Sequence, residues 1–594
     1  METVALNENE LPSAARRRLS VVLAADGEES AAALALRRST VSFAGVAHGH
    51  LEKILQEEEG DDQEGPTSTS QQPQQQQQQQ LPSRRDNRAS VVGRRASAFS
   101  RVFALSSTSE SFMEGNIRPT LINAMIFLSD PKPDVNKIRQ VLADRLLCIP
   151  RFRSVVKMDD KSRVHFDPLP RDAVDFRQHI KLVDGRGKYD AEDIEELVTD
   201  SFLTDWPSDR PLWRGTLVTN LADGRSLLFI VIDHAIGDGV GLLAVLLSLF
   251  DDPADTDGGA AADKSETKTE KLQQKRKTTP SLRWSHRIVA FLGGMYDGII
   301  NTLVPPPCDN PSSITIPKEQ LEYPCPGKTL AQTRGFPIDE VKSIKNKLAG
   351  ATVNDIILAL IAVAVRKSFE KTGDEALDVI LKGKGKVRAD FPVNMRTGKA
   401  EGGAGLGNEF VLGTFRFPIK HSDPIDAVWQ CKSRVDEIKV SPAFHLKKVL
   451  SDAIFGNAPD TVLSAKILHA MNQSTCMVSN VIGPSQEAAL GGYDISDLNF
   501  TTAYVGGLYF GVLTFKGNLR ISAILDKRCS GDVEVIRDSL EEAYDDLRDA
   551  LKDVDEDCPL RQPDMTPLAA RILEGVVYIA AVALPVLVAM QFQK

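Results

Sequence analysis

A histidine just beyond a run of apolar residues is the side chain in this sequence best placed to do chemistry. Residues 227–232 read LLFIVI, which predicts a buried strand, and His234 follows it. A leucine-rich segment at 239–250 predicts a helix, so the histidine stands where a sheet opens into a cleft. A neutral imidazole can take a proton from a hydroxyl group near neutral pH. The spacing therefore predicts a general base.

The residues between this histidine and the helix define a short His-x-x-x-Asp-Gly pattern. Asp238 precedes the helix, and we expect its carboxylate to cap the helix and hold the turn. Gly237 and Gly239 are expected to adopt backbone angles that bulkier residues resist, which would let a substrate approach closely. Because the pattern is short, a capping aspartate beside an ordinary histidine remains an open alternative.

Further segments help to decide between these two interpretations of the histidine pattern. Pro211, Leu212 and Trp213 precede a predicted strand at 215–218, and Asn354 and Asp355 precede an apolar stretch at 356–365. RADFPVNMR follows at 388–396 and SNVIGP at 479–484, with PRFR at 150–153 near the front. In this order, over about 116–551, the chain resembles the bifunctional wax ester synthase/diacylglycerol acyltransferase family.

The resemblance implies both a fold and a reaction. The fold would be α/β, with two chloramphenicol-acetyltransferase-like lobes, a tunnel between them and the histidine at its middle. The reaction would move an acyl group from acyl-CoA, as co-substrate and with no bound cofactor, to diacylglycerol or a long-chain alcohol. The family signature is His-His-x-x-x-Asp-Gly, whose second histidine is the catalytic base and falls on His234. Asp233 stands where the family has its first histidine.

The remaining motif residues receive separate interpretations. Asn354 is a candidate hydrogen-bond donor to the charge that develops on the acyl carbonyl oxygen, and a plain helix N-cap is the alternative. Asp355 is expected to stabilise the first turn of the helix. Trp213 is expected to pack in the core rather than contact substrate.

Composition excludes several other kinds of protein. Seven dispersed cysteines lack metal-ligand spacing, and Gly-x-Ser-x-Gly is absent, which argues against a metal site and a serine hydrolase. Scattered cysteines also suit a reducing compartment. The net charge of −10 argues against nucleic acid as a partner.

The first 112 residues are predicted to be a disordered tail rich in Ser, Arg and Gln. Arginine pairs precede Ser20, Ser39 and Ser97, each within a pattern that resembles a basophilic kinase site. These repeats predict regulation by phosphorylation.

The rest of the chain divides into four parts. We expect a first lobe at 113–250, a linker at 251–320, a second lobe at 321–556 and a membrane anchor helix at 567–594. The linker contains apolar residues at helical spacing from 284 to 303, which predicts either an interfacial membrane helix or a helix docked across the two lobes. The uncharged stretch at 575–590 favours an anchor over a buried helix. Together they predict an endoplasmic reticulum membrane protein with a cytosolic catalytic domain; lipid droplet and plasma membrane are alternatives.

Two alternative functions remain. One is a soluble CoA-dependent acyltransferase acting on small alcohols or amines, or a peptide-condensation domain. The other is a catalytically dead lipid-binding relative, which the loss of the first histidine motivates.

Overall fold

The computed structural model describes residues 121–158, 164–204, 206–207, 209–251, 284–303, 308–321, 325–396, 406–455, 473–502, 504 and 506–563. The predicted disordered tail at 1–112, with its three kinase-like patterns, and the predicted anchor helix at 567–594 lie outside these residues. Within the described ranges, no helix is both long and apolar enough to cross a bilayer. The described elements, apart from residues 449–455, belong to one compact unit.

The first lobe is built on a six-stranded sheet in the order β12-β13-β1-β6-β5-β4. Neighbouring strands of this sheet pair antiparallel, except β4 and β5, which pair parallel. Its strands are β1 (Leu121–Leu128), β4 (Ile180–Tyr189), β5 (Trp213–Leu221), β6 (Ser226–Asp233), β12 (Ala489–Leu490) and β13 (Tyr493–Thr502). A separate hairpin pairs β2 (Ser154–Met158) with β3 (Val164–Pro168).

The second lobe is built on a sheet in the order β10-β9-β11-β14-β15-β7, with β8 also paired to β15. Strand β11 is parallel to both of its neighbours. The strands are β7 (Lys328–Gln332), β8 (Phe336–Pro337), β9 (Arg388–Asn394), β10 (Phe410–Arg416), β11 (Cys476–Ile482), β14 (Leu508–Phe515) and β15 (Asn518–Asp526).

Eleven α-helices lie within the described residues. They are α1 (Val135–Leu146), α2 (Phe176–His179), α3 (Ala191–Leu203), α4 (Gly239–Ser248), α5 (Trp284–Leu303), α6 (Ile338–Asn346), α7 (Val353–Thr372), α8 (Glu375–Leu381), α9 (Pro424–Val440), α10 (Ala443–Phe455) and α11 (Val533–Ala550). Helix α7, which is apolar nearly all round, is buried along most of its length, as its sequence predicts.

Strand β6 is apolar from Leu227 to Ile232 because both of its faces are covered. Ile230 packs into one core cluster with α1, while Phe229 packs into another with Phe202 of α3. Alternate side chains point to opposite faces of a strand, so each face needs its own apolar set. The predicted α/β architecture with two lobes is confirmed.

The chain does not keep the two lobes separate in sequence. Strand β13 belongs to the second half of the chain, but it pairs with β1 of the first lobe through seven residue pairs. The assignment of all of 321–556 to the second lobe is therefore wrong for residues 489–502. Strand pairing over such a distance leaves no local sequence pattern, so the boundary was not predictable from periodicity.

The predicted linker helix is present as α5 and docks on the second lobe. A Cβ at Gly298 would lie 2.7 Å from the Leu446 Cβ, so the helix backbone approaches α10 closely. Asp297 forms an ion pair of 3.0 Å with Lys447. Ile288 and Leu292 remain 41% and 43% exposed. These contacts are with the second lobe, whereas the docked interpretation placed the helix across both lobes, and the interfacial membrane interpretation stays a prediction.

Candidate active site

His234 lines a cavity of about 390 Å³ between the two sheets. His234 follows directly after β6, and its ring centroid lies 6.0 Å from that of Phe410 in β10. Both lobes supply apolar walls, among them Leu243 and Leu246 of α4, Leu358 of α7, Phe391 of β9, and Met477 and Val478 of β11. The volume is in the range of small-molecule sites, and the lining suits an aliphatic ligand.

The imidazole of His234 is held by Asn408, which precedes β10 of the second lobe. The Nδ1 atom lies 2.9 Å from the Asn408 Oδ1, and the Asn408 Nδ2 donates to the His234 backbone carbonyl at 2.7 Å. Burial lowers the pKa of His234 below its usual 6.5, while the charge of Asp238 and the hydrogen bonds oppose the shift. The ring is therefore neutral near pH 7 and able to accept a proton.

Asp238 joins the histidine segment to the second lobe. Its carboxylate caps α4 by accepting from the Gly241 amide at 3.0 Å, which is the position predicted from sequence. It also forms a 2.8 Å ion pair with Arg396 and accepts from the Glu409 amide at 3.1 Å. Both charged side chains are mostly buried, at 14% and 6% exposed.

Asn354 lies in the first turn of α7 and lines the same cavity as His234. Its Oδ1 accepts a hydrogen bond from Asn480 at 3.3 Å. The N-cap of α7 is Thr352, whose hydroxyl forms a capping box with Asp355, so the N-cap interpretation of Asn354 is wrong. Asp355 serves the first turn, and burial raises its pKa.

The Pro-Leu-Trp element lies away from the cavity. Trp213 is buried, its indole Nε1 donates to the Phe152 carbonyl at 2.8 Å, and its ring stacks on His179 at 4.3 Å. The carbonyl of Leu212 accepts from the Asp233 amide at 2.9 Å, and Pro211 is buried beside it. These residues support the end of β6 from behind, and Trp213 packs as the sequence predicts.

Asp233 faces away from the cavity. It is fully buried, and its Oδ1 accepts from the Ala235 amide at 2.7 Å. By strand alternation it shares the face of Val231 and Phe229, opposite to His234. The carboxylate therefore belongs to the turn after β6 rather than to the cavity lining.

The expected backbone freedom at Gly237 and Gly239 is wrong, because neither residue has a positive φ. A Cβ at Gly237 would lie 3.4 Å from the Leu406 Cγ, which is ordinary contact, and one at Gly239 would meet nothing within 4 Å. Gly239 does line the cavity.

Sequence reasoning missed Asn408 and the function of Arg396. Arg396 is the last residue of the RADFPVNMR segment, but the sequence of that segment does not show which residue pairs with it. Asn408 closes a glycine-rich stretch whose spacing fits no nucleotide-binding motif. Its contact with His234 joins residues 174 positions apart, so no local signal could have revealed it.

Within the described residues, no group of three or more His, Cys, Asp or Glu side chains is arranged to hold a metal ion. All seven cysteines are free thiols, and burial raises the pKa of Cys431, Cys476 and Cys529.

A histidine with a lowered pKa in an apolar cavity between two α/β lobes suits acyl transfer, and comparison with known proteins identifies the chain as an acyltransferase. The wax ester synthase/diacylglycerol acyltransferase catalytic domain matches residues 111–357, and the WS/DGAT C-terminal domain matches residues 406–548. The chain belongs to the wax ester synthase/diacylglycerol acyltransferase family.

Individual relatives have low sequence identity to this chain, but the similarity extends over most of their length. Wax ester synthase/diacylglycerol acyltransferase 9 of Arabidopsis thaliana is 26% identical over 445 residues, which cover 68% of this chain and 86% of the relative. Wax ester synthase/diacylglycerol acyltransferase 3 of the same plant is 23% identical over 75% of this chain and 93% of its own length. Among solved structures, the wax ester synthase/diacylglycerol acyltransferase from Marinobacter aquaeolei VT8 aligns with a TM-score of 0.48 and 14% identity, covering 73% of this chain and 96% of that one.

Proposed function

We propose that this protein transfers a fatty acyl group from acyl-CoA to the hydroxyl group of diacylglycerol, of a long-chain alcohol, or of both. The products would be triacylglycerol and wax esters. The observation that carries the proposal is the position of the His234 imidazole on the wall of an apolar cavity to which both lobes contribute. Burial lowers the pKa of this ring, which favours its neutral form. The family of the chain and the names of its relatives support the same substrates.

In the proposed reaction, His234 accepts the proton of the acceptor hydroxyl as its oxygen attacks the thioester carbon. A new C–O bond forms, the C–S bond breaks, and the imidazolium returns the proton to the departing thiolate. No net proton is gained or lost, and no covalent enzyme intermediate is needed. Acid–base assistance of this kind contributes roughly 10²–10⁴ in rate.

Negative charge on the carbonyl oxygen requires a hydrogen-bond donor during the attack. Asn354 is the candidate because its Oδ1 accepts a hydrogen bond from Asn480. The amide N–H groups of Asn354 therefore point toward other partners. It also lies in the first turn of α7, where backbone amides lack partners within the helix. Both features support Asn354 as the donor.

We also propose that the protein acts at the endoplasmic reticulum membrane with its catalytic lobes in the cytosol. The apolar stretch at 575–590 supports membrane attachment, and the free cysteines suit a reducing compartment. Lipid droplets and the plasma membrane are the alternative sites. A basophilic kinase acting on the N-terminal tail is a further proposed partner, supported by the three arginine-serine patterns.

Attachment can be tested by fractionating cells that express the full chain or a chain ending at Thr566. The truncated protein should move from the membrane pellet to the supernatant. A pellet that still holds it would place the attachment elsewhere in the chain.

The catalytic proposal is tested by expressing the chain in a host that makes neither triacylglycerol nor wax esters. Membranes would receive labelled acyl-CoA with diacylglycerol and a long-chain alcohol in equal amounts. Labelled neutral lipid is the expected product, and its ratio gives the acceptor preference. Binding of acyl-CoA without any product would favour the catalytically dead alternative, and labelled small esters or amides would favour the soluble-substrate alternative.

A further inference from the structure

The segment before β10 makes several contacts with the histidine segment of the other lobe. The Gly407 carbonyl accepts from the Asp238 amide at 3.4 Å, and the Glu409 amide donates to the Asp238 carboxylate. Between them, Asn408 bonds to both the ring and the backbone of His234. Residues 407–409, which we call the clamp segment, thus hold the base from the opposite side of the cavity.

The orientation of the Asn408 amide is determined by its two partners. The His234 backbone carbonyl can only accept a hydrogen bond, so the group facing it at 2.7 Å must be the Nδ2 donor. The Oδ1 atom then has to face the ring. Rotating the amide by 180° would set two oxygens against each other at this distance, which excludes the alternative.

This orientation determines where the imidazole carries its proton. The Asn408 Oδ1 can only accept, so the Nδ1 atom 2.9 Å away must be protonated. In the neutral ring the other nitrogen, Nε2, then keeps the lone pair. A base has to be the unprotonated nitrogen, and a ring with the opposite tautomer cannot take a proton at Nε2.

We propose that Asn408 is a positioning residue that holds His234 in the tautomer with its proton on Nδ1, leaving Nε2 as the base that faces the substrate. The proposal rests on the proposed function for its consequence but not for its geometry. Because Asn408 is 2% exposed and belongs to the second lobe, the base contributed by one lobe is prepared by the other.

The test compares three variants of the full-length protein. Asn408→Leu removes both hydrogen bonds, and Asn499→Leu is the control. Asn408→Asp keeps an acceptor beside Nδ1 and adds negative charge, but it loses the donor to the His234 carbonyl. Asn499 is also a buried asparagine, donating to Gln332 at 3.1 Å, but it does not line the cavity. Each variant would be assayed for kcat and KM over a range of pH. Selective ¹⁵N-histidine labelling would report the tautomer, with the His234 signal identified by its loss in His234→Gln.

We expect Asn408→Leu to lower kcat about 10- to 100-fold with little change in KM, as removal of other groups that orient an imidazole does. The His234 signal should change from the single Nδ1-protonated form to a mixture. Asn408→Asp should keep that form and move the acidic limb of the pH profile upward, because a nearby negative charge favours the imidazolium. The control should leave the tautomer and the pH profile unchanged.

An unaltered tautomer and unaltered kcat in folded Asn408→Leu would overturn the proposal, even if the wild-type protein makes neutral lipid. If the wild-type protein makes none, the labelling experiment still decides the tautomer. The two failures are therefore distinguishable.

Discussion

At the scale of single residues, the behaviour of His234 depends on what surrounds it. Burial disfavours its charged form, and the nearby Asp238 limits that shift. Asp233, although adjacent in sequence, has its side chain on the other face of β6. The departure from the family signature therefore changes the support of the turn and leaves the cavity lining as it is.

This placement predicts the effect of restoring the family's histidine. Asp233→His should lower the yield of folded protein, because a larger ring has to replace a fully buried carboxylate. The ratio of triacylglycerol to wax ester should not change. Asp233→Asn is the control, since its amide oxygen can still accept from Ala235. A changed acceptor ratio in folded Asp233→His would contradict the position that we assign to this side chain.

Asp390 of β9 predicts a dependence of stability on pH. Burial raises its pKa from 3.8 to about 6, opposed by hydrogen bonds from Thr414 and Ser474. A raised pKa means that the folded state binds the proton more tightly, so the contribution is complete below pH 3.8 and is lost as the pH rises through about 6.

Asp390→Asn keeps the oxygen that accepts both hydroxyl groups and cannot ionise. The variant should match the wild type in free energy of unfolding near pH 4 and exceed it at pH 8 by up to about 3 kcal/mol. Urea unfolding at the two pH values measures this difference. Equal stability of the two proteins at pH 8 would show that the carboxyl group titrates normally.

At the scale of elements, helix α4 depends on a capping residue that also carries a buried ion pair. Asp238 both accepts from Gly241 and pairs with Arg396, so its loss would leave a mostly buried guanidinium without its carboxylate. The capping bond alone contributes about 1 kcal/mol, whereas breaking a buried pair costs about 3–5 kcal/mol.

We therefore expect Asp238→Ala to lower the free energy of unfolding by about 3–5 kcal/mol. Asp532→Ala is the matched control, because Asp532 is an exposed N-cap of α11 that accepts from the Glu534 amide. Its loss should cost about 1 kcal/mol. Denaturation of the two variants side by side measures both values, and equal losses would mean that the Arg396 pair contributes nothing.

The elements also show what sequence could and could not predict. Helices α4 and α5 begin at the residues predicted from the apolar spacing and end within two residues of the predicted positions, because that spacing is local. The hairpin of β14 and β15 carries its own turn, with Lys516 and Gly517 at positive φ. By contrast, the pairing of β13 with β1 and the contact of Asn408 with His234 join distant parts of the chain, and only tertiary packing determines them.

At the scale of the whole molecule, the two lobes are interlocked. One core cluster combines Ile230 and Trp213 of the first half with Phe410 and Leu498 of the second. Thr199 of α3 donates to the Lys328 carbonyl at 2.8 Å. Because strand β13 and these contacts cross between the halves, neither half can lose its structure without exposing the core of the other.

This interlocking predicts a single unfolding transition for the described lobes. Two variants that each retain one reporter, Trp213 in the first lobe or Trp429 in the second, should give coincident fluorescence transitions in urea. Circular dichroism on the same samples checks that the substitutions have not shifted the midpoint. Two separated midpoints would mean that the lobes unfold independently.

The most direct measurement of the central claim is the turnover of His234→Ala against the wild type at matched amounts of folded protein. Labelled acyl-CoA and both acceptors would be supplied, and neutral lipid counted. We expect the wild type to form product and the rate of the variant to be lower by a factor of about 10²–10⁴, because the general base is gone. Product formation by His234→Ala at the wild-type rate would contradict the claim that this imidazole carries the proton.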